Sequence, residues 1–135
     1  MQVKRLKLLG FLPRRATDGS AGYDLSCIED ITTTRGLNKI PLGIALAIPH
    51  GHYARIACRS SLALKDMSVE AGVVDEDYTG EIIVLLRDRR GGHEFKYGDR
   101  FAQMIITPYA SPLVEEVSEL QSSIRGDGGF GSTYH

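Results

Sequence analysis

The regular spacing of large apolar side chains predicts short β-strands along much of the chain. In residues 40–48, a large aliphatic side chain occupies every second position, and proline, glycine or alanine lies between them. A period of two places the large side chains on one face of a strand, which we expect to be buried. The same period recurs at Met67, Val69, Ala71 and Val73, and predicts a second strand with one buried face.

Two further runs lack a regular polar face. Residues 82–86 are entirely apolar, and residues 101–106 contain a single polar side chain, that of Gln103. We therefore expect both runs to be strands that are covered on two sides. A buried amide without a partner costs about 1–3 kcal/mol, so Gln103 requires a hydrogen bond. Its partner is either a group of the core or a ligand.

Turn-forming residues separate these runs at four places: residues 50–51, 77–80, 90–92 and 97–99. Short strands at this spacing predict an all-β fold of the sandwich, jelly-roll or barrel type. One short helix is expected from Ser60 to Lys65, with Ser60 as its N-cap.

The last fifteen residues differ from the rest of the chain, because core-type residues are few and Gly and Ser are frequent. We predict a core over residues 1–120 and a mobile arm over residues 121–135. An extended chain gains about 3.3 Å per residue, so the arm can reach about 50 Å. It can therefore close a site on its own domain or on a neighbouring subunit.

Composition narrows the possible functions. A chain of 135 residues suits one domain, and a net charge of −1 argues against a general nucleic-acid binder, which usually has a basic excess. The apolar runs are too short to cross a membrane, and basic residues interrupt the first ten positions where a signal peptide would be apolar. Cys27 and Cys58 are too few for a disulfide framework or a zinc site, so we expect an intracellular protein.

The arm contains groups that suit an anion. Flexible glycines, among them Gly131, let backbone N–H groups converge on phosphate oxygens, and Ser132 and Thr133 add hydroxyl donors beside the charge of Arg125. The spacing resembles a phosphate-binding loop, but the lysine is missing. Phe130 can stack on a flat ligand. The alternative is an unstructured tail without a function.

Three consecutive acids, Asp75 to Asp77, lie between two predicted strands, and Tyr78 follows them. The exposed backbone groups of such a hairpin can read the edge of a base, next to an aromatic ring. A solvated acidic turn is the alternative interpretation.

Other polar clusters carry weaker signals. The sequence from Arg59 to Ser61 suits either an anion or a helix N-cap. Asp24 follows a glycine-containing turn and by itself predicts nothing. His50 and His52 flank a glycine, and without a third ligand they favour a polar turn over a metal site.

Taken together, these segments resemble the trimeric dUTPase family, the dUTP pyrophosphatases. The resemblance extends from about residue 20 to the end of the chain, and its most specific parts are the acidic hairpin and the glycine-rich arm. Five segments follow one another in the order that the family has: residues 21–25, 59–63, 72–80, 98–103 and 125–133.

The resemblance implies a β-clip or jelly-roll-like subunit and a homotrimer in which each active site draws on several chains. The implied reaction converts dUTP and water to dUMP and pyrophosphate, with Mg²⁺ on the triphosphate. This reaction would limit uracil in DNA and supply dUMP for dTMP synthesis. Neither a membrane nor a nucleic acid is an expected partner, and the expected location is the cytoplasm or nucleus, for a cellular or a virus-encoded enzyme.

The resemblance also assigns residue roles. Asp75 matches the acid that orients and deprotonates the water attacking the α-phosphorus, and Asp24 matches the acid that holds Mg²⁺ through water. Tyr78 matches the ring that packs on deoxyribose and leaves no room for a 2′-hydroxyl. Backbone groups from Gly72 to Tyr78 would pair with uracil. The implied substrate-binding positions are Arg59, Ser60, Ser61, Gly72, Val73, Tyr78, Gln103, Arg125, Phe130, Gly131, Ser132 and Thr133.

Some positions depart from the commoner family pattern. Cys58 stands where proline is frequent, Ser61 where glycine is frequent, and Thr79 where arginine is frequent, while Tyr134 replaces a glycine. None of these changes removes a matched chemical group.

Two other functions fit part of the pattern. dCTP deaminase shares the sequence Arg-Ser-Ser-Leu-Ala, but those chains are longer and lack the glycine-rich arm. A non-catalytic nucleotide-sensing or protein-binding module would not need the acids at Asp24 and Asp75.

Overall fold

The computed structural model describes residues 1–131. In that part of the chain it has eleven strands and one helix: β1 (Gln2–Arg5), β2 (Tyr23–Ser26), β3 (Ile31–Thr32), β4 (Gly36–Pro41), β5 (Ile44–Ala47), β6 (His52–Cys58), α1 (Ser60–Ala63), β7 (Met67–Glu70), β8 (Val73–Val74), β9 (Ile83–Asp88), β10 (Glu94–Phe95) and β11 (Arg100–Pro108). The prediction of an all-β chain with one short helix is confirmed.

All strand pairs are antiparallel. The largest sheet has the order β2-β11-β6-β8, and a second sheet has the order β4-β9-β7. Two small sheets pair β1 with β5 and β3 with β10. One cluster of buried side chains joins the two larger sheets, with Phe101 and Met104 from β11 and Val84 and Leu86 from β9. This common core fixes the positions of the loops that leave the sheets.

The strand predicted over residues 40–48 is buried on the expected face but is not continuous. Ile40, Leu42, Ile44 and Leu46 are each at most 2% exposed. The chain leaves β4 at Pro41 and enters β5 at Ile44, and Gly43 between them has a φ of 67°. A positive φ favours glycine, and here it redirects the chain from one sheet to another.

Two details of the predicted burial are wrong. The alternation that starts at Met67 fails at Ala71 and Gly72, whose φ angles of 59° and 75° turn the chain, so that Val73 is 63% exposed in β8. Residues 82–86 are not covered on both sides within this chain, since Ile83 is 39% exposed while its neighbours are buried.

The helix is shorter than predicted. It spans Ser60–Ala63, and Arg59 rather than Ser60 occupies the N-cap position, without a side-chain capping bond. Backbone bonds close the turn, including one from the Leu62 N–H to the Arg59 carbonyl at 3.0 Å. Burial of the Leu62 side chain holds the helix against the core.

Beyond Pro108 the described chain, up to residue 131, contains no helix or strand. Large apolar side chains in this segment are almost fully exposed, among them Leu113, Val114 and Ile124. Within residues 1–131, no helix has the length and hydropathy that a membrane span requires.

Candidate active site

Four polar residues, Asp24, Arg59, Arg100 and Gln103, form a group across three neighbouring strands, here called the Asp24 cluster. Asp24 lies opposite Gln103 in the ladder between β2 and β11, and Gln103 lies opposite Ala57 in the ladder between β11 and β6. Arg59 directly follows β6 and therefore reaches the same end of the sheet. The sheet register alone brings together three segments that are far apart in sequence.

Direct contacts fix the cluster. The Arg100 Nη1 group lies 3.3 Å from Asp24 Oδ2, and Arg59 Nη1 donates a hydrogen bond to the Arg100 carbonyl at 2.9 Å. Gln103 Nε2 donates to the Cys58 carbonyl at 3.3 Å, which gives the amide a partner in the core. A Cβ atom at Gly22 would clash with the Gln103 amide oxygen, so glycine is needed to leave this side chain in place.

A cavity of about 450 Å³ opens beside Asp24. Its charged lining comes from Arg5, Arg14, Arg15 and Arg100, with Asp24 as the one carboxylate. Four guanidinium groups against one carboxylate make this cavity strongly positive, which suits a polyanion such as a triphosphate.

The sequence analysis did not include Arg5, Arg14 or Arg15 among the site residues. The available signal was that the first fifteen residues contain five basic and no acidic side chains. Only the fold shows that three of these residues face the Asp24 cluster.

The second group is the segment from Val73 to Glu81, here called the Asp75 hairpin. Its strand β8 pairs only with Ala54 and Arg55 of β6, at the edge of the largest sheet. Before it, the Gly72 carbonyl accepts a bond from the Ile56 N–H at 2.7 Å. A Cβ atom at Gly72 would lie 2.6 Å from the Ile56 carbonyl oxygen, so this close approach requires glycine.

The hairpin surrounds a smaller cavity of about 200 Å³, lined in part by Val73, Asp75 and Tyr78. Tyr78 donates its hydroxyl hydrogen to the Glu81 carbonyl at 2.8 Å, and its N–H bonds to the Asp75 carbonyl at 3.1 Å. These bonds fix the ring across the tight turn, although it remains 45% exposed.

Two glutamates anchor the hairpin, Glu76 within it and Glu81 at its end. Glu76 accepts a hydrogen bond from the Gly51 N–H at 2.6 Å, and Glu81 accepts one from the Gly43 N–H at 2.9 Å. The Gly51 N–H is the main cause that holds the pKa of Glu76 below its ordinary value, and the neighbouring His50 acts in the same direction. Glu76 is therefore ionised at neutral pH. The sequence analysis assigned no role to either glutamate.

The two groups do not meet within one chain. Strands β2 and β8 lie at opposite edges of the largest sheet, and Asp75 follows Val74, which pairs with Ala54, whereas Asp24 is in line with Ala57. From strand spacing and rise per residue, the two acids are about 20 Å apart. A site that uses both acids therefore requires a second copy of the chain.

No hydrogen bond or ion pair joins the described part of the arm, residues 121–131, to either group. Phe130 is fully exposed, so its ring packs against nothing in the described chain, and the Arg125 side chain donates to the carbonyl of Gly128 within the arm itself. Gly131 is the last described residue. The predicted contacts of Ser132 and Thr133 lie outside the described residues.

The protein groups at Asp24 fit a magnesium ion that is bound mainly by a substrate. Among residues 1–131, no cluster of three or more His, Cys, Asp or Glu side chains can enclose a metal. Mg²⁺ keeps several waters and commonly binds one or two carboxylates together with substrate phosphates. The single carboxylate of Asp24, beside a positive cavity that suits a polyanion, is consistent with that mode of binding.

Comparison with known proteins identifies close relatives. The family model described as dUTPase matches residues 10–134. The chain is 45% identical over 135 residues to the deoxyuridine 5'-triphosphate nucleotidohydrolase of Arabidopsis thaliana, covering 98% of this chain and 81% of that protein. It is 42% identical over 134 residues to the enzyme of the same name from Paramecium bursaria Chlorella virus 1, covering 97% and 95%.

Solved structures have the same fold. The dUTPase of Staphylococcus bacteriophage 80alpha with dUpNHpp superposes with a TM-score of 0.88 at 25% identity, over 99% of this chain and 98% of that one. The dUTPase of phage phi11 of S. aureus, in which coordination of a structural Mg(II) ion is described, superposes with a TM-score of 0.83 at 23% identity, over 90% and 98%. The predicted β-clip or jelly-roll-like architecture is confirmed.

Proposed function

This chain belongs to the dUTPase family and is a dUTP diphosphatase, and we propose that its active site combines the Asp24 cluster of one subunit with the Asp75 hairpin of another. The separation of about 20 Å between Asp24 and Asp75 within one chain carries this proposal. Opposite charges favour the encounter, because four arginines line the cavity beside Asp24 and three consecutive acids start at Asp75.

The hairpin recognises the nucleoside. Its cavity is lined by Val73 and Tyr78, and the backbone groups from Gly72 onwards bind the donor and acceptor pattern of uracil. Cytosine presents a different pattern and would leave these groups unpaired. The Tyr78 ring, held by its bond to the Glu81 carbonyl, packs on the deoxyribose and excludes a 2′-hydroxyl.

The Asp24 cluster and its arginine cavity hold the triphosphate. Arg59 and the hydroxyls of Ser60 and Ser61 lie at the end of β6, and Gln103 lies on the neighbouring strand. Asp24 would hold Mg²⁺ through water, and the ion would supply positive charge to the phosphate oxygens.

Asp75 acts on the water. Its carboxylate orients a water molecule toward the α-phosphorus and accepts the proton that the water loses. A bond forms between the water oxygen and the α-phosphorus, and the bond to the bridging oxygen breaks, so that dUMP and pyrophosphate result. Phosphoryl transfer depends chiefly on such positioning and on charge compensation.

A homotrimer provides the additional chains. Exposed apolar residues after β11, such as Leu113 and, within the arm, Ile124, lack partners on the described part of their own chain and suit contact with a neighbour. We assign Phe130 and Gly131 to the lid over uracil, and Arg125, Ser132 and Thr133 to the γ-phosphate. The relatives come from plants, bacteria and viruses, and we place the enzyme inside cells, as a host or a virus-encoded protein.

Pyrophosphate release from a panel of deoxynucleoside triphosphates, with and without Mg²⁺, tests the activity. We expect release from dUTP that depends on Mg²⁺, and little release from dCTP or dTTP. Ammonia released from dCTP would instead support a deaminase.

A further inference from the structure

Glu76 follows Asp75 directly, and its carboxylate connects the Asp75 hairpin to two other segments. Oε1 accepts the bond from the Gly51 N–H at 2.6 Å and lies 2.7 Å from His50 Nδ1. Oε2 accepts a bond from the Tyr109 hydroxyl at 3.2 Å. Only 26% of the Glu76 side chain is exposed, which is low for a carboxylate at a turn.

These contacts matter because the backbone at Asp75 otherwise has only a local bond within the turn, from the Tyr78 N–H to the Asp75 carbonyl at 3.1 Å, among the turn and loop bonds of the described chain. The ladder of β8 ends at Val74, one residue earlier. Within residues 1–131, no hydrogen bond or ion pair fixes the Asp75 carboxylate. After Glu76, the next side chain of the hairpin with a hydrogen bond is Tyr78, through its hydroxyl. Glu76 is thus the first anchored side chain after the ladder.

The Glu76 contacts also include the segment that leads from β11 to the arm. Tyr109 is the first residue after β11, and its N–H donates to the Gly51 carbonyl at 3.1 Å while its ring packs edge-on against Tyr53. Gly51, Glu76 and Tyr109 therefore form a closed network that joins the hairpin to the segment from which the arm departs.

We propose that Glu76 is a positioning residue for dUTP hydrolysis, which acts by fixing the backbone that carries Asp75. This inference rests on the proposed role of Asp75. The β8 ladder holds Val73 and Val74 independently of Glu76, so base recognition does not need the Glu76 contacts. Loss of these contacts misplaces the catalytic carboxylate and lowers kcat, whereas KM for dUTP stays nearly constant.

Four variants of the full-length chain test the proposal in steady-state kinetics with dUTP. Glu76→Ala removes all the carboxylate contacts and should lower kcat about tenfold or more at nearly unchanged KM, since small misplacements are costly in catalysis. Glu76→Gln keeps an acceptor for the Gly51 N–H and should restore most of kcat. Tyr109→Phe removes only the Oε2 contact and should lower kcat about twofold to threefold, less than the alanine variant.

Glu70→Ala is the matched control. Glu70 is also a partly exposed carboxylate with several contacts, to Ser68 and Arg87, but neither of these contacts involves the Asp75 hairpin. We expect its kcat to equal that of the unmodified chain, even where its melting temperature falls.

An unchanged kcat in Glu76→Ala overturns the proposal. An equal decrease of kcat in Glu70→Ala overturns it as well, and so does a change of KM in Glu76→Ala without a change of kcat. If Glu76→Ala does not fold, Tyr109→Phe decides, because an unchanged kcat in that conservative variant contradicts the network. Failure of the unmodified chain to hydrolyse dUTP would instead refute the proposed function itself.

Discussion

The Asp24 cluster and the Asp75 hairpin belong to one sheet, yet the chain holds them in place by different means. The cluster lies on β2 and β11 and at the end of β6, where long backbone ladders set the position of each residue. The hairpin leaves an edge strand of two paired residues and depends on side-chain bonds from Glu76, Tyr78 and Glu81. Backbone ladders fix the Asp24 cluster, whereas side-chain bonds fix the part of the hairpin that follows Val74.

The sheet order has a consequence for assembly. Strands β2 and β8 are both edge strands of the largest sheet, so Asp24 and the Asp75 hairpin can each be presented to another subunit. The three acids that start at Asp75 and the arginines around Asp24 carry opposite charges. In the proposed shared site, these opposite charges would be complementary across an interface between two subunits.

The largest effect is expected at the hairpin, from Asp75→Asn. Loss of the general base should lower kcat by about 10² to 10⁴-fold, while dUTP still binds. Steady-state kinetics and equilibrium binding of dUTP measure the two effects. Asp77→Asn, two positions away, is the control and should remain active. Full activity in Asp75→Asn would remove this residue from the mechanism.

Removal of residues 125–135 tests whether the Asp24 cluster and the Asp75 hairpin suffice for hydrolysis without the glycine-rich part of the arm. We expect kcat/KM to fall roughly 100-fold, because positioning of the triphosphate is lost, while the core remains folded. Circular dichroism and kinetics check both points. A shorter deletion of residues 134–135 preserves the family motif and serves as the control. Full activity without residues 125–135 would refute the proposal that the arm acts as a lid.

Tyr78→Ala tests whether the hairpin binds the deoxyribose. Without the ring, the preference for dUTP over UTP should fall about tenfold, since steric exclusion of one small group has effects of this size. The ratio of kcat/KM for the two nucleotides is the measurement. Tyr78→Phe keeps the ring but loses the bond from the hydroxyl to the Glu81 carbonyl, so the preference should fall less than in Tyr78→Ala. An unaltered ratio in Tyr78→Ala would contradict the assignment.

Asp88→Asn should leave catalysis unchanged, because Asp88 belongs to neither half of the site. Burial alone would raise the pKa of Asp88, but bonds from the Thr33 hydroxyl and from the N–H groups of Gly91 and Arg90 hold that pKa below its ordinary value. The native state therefore favours the ionised form. This contributes stability above the unfolded pKa of about 3.9, which is lost as the pH falls through the lower folded pKa.

Unfolding free energies at pH 7 and near pH 3 measure this effect. The substitution should cost about 1–3 kcal/mol at pH 7, because it weakens hydrogen bonds to a buried charge. The unmodified chain should lose more stability on acidification than the variant does. An equal loss in both would contradict the role of Asp88, and a reduced kcat would link it to the site.

The sequence predicts the strands better than the turns between them. Period-two spacing identified the buried face at Ile40, Leu42 and Ile44, because burial of one strand face is a local property of the pattern. The same spacing did not reveal that the chain changes sheets at Gly43 or turns at Ala71. Those turns depend on the tertiary positions of the sheets, which no local pattern contains.

Prediction of the site from the sequence has the same limit. Motif order located the segments around Asp24 and Asp75, but not the partners of Glu76, since Gly51 and Tyr109 are 25 and 33 residues away. The arginines near the N-terminus were visible only as an excess of charge. Contacts between distant segments follow from sheet register, and contacts between subunits follow from assembly, so neither is encoded in a short motif.

Subunit complementation tests the central claim most directly. Asp24→Asn and Asp75→Asn chains should each have very low activity alone, because every site then lacks one acid. If the acids of one site come from different chains, co-refolding equal amounts should restore about a quarter of the unmodified activity per site, from random mixing in a closed symmetric oligomer. Activity that stays at the level of the separate variants, in oligomers shown to contain both chains, would contradict a shared site.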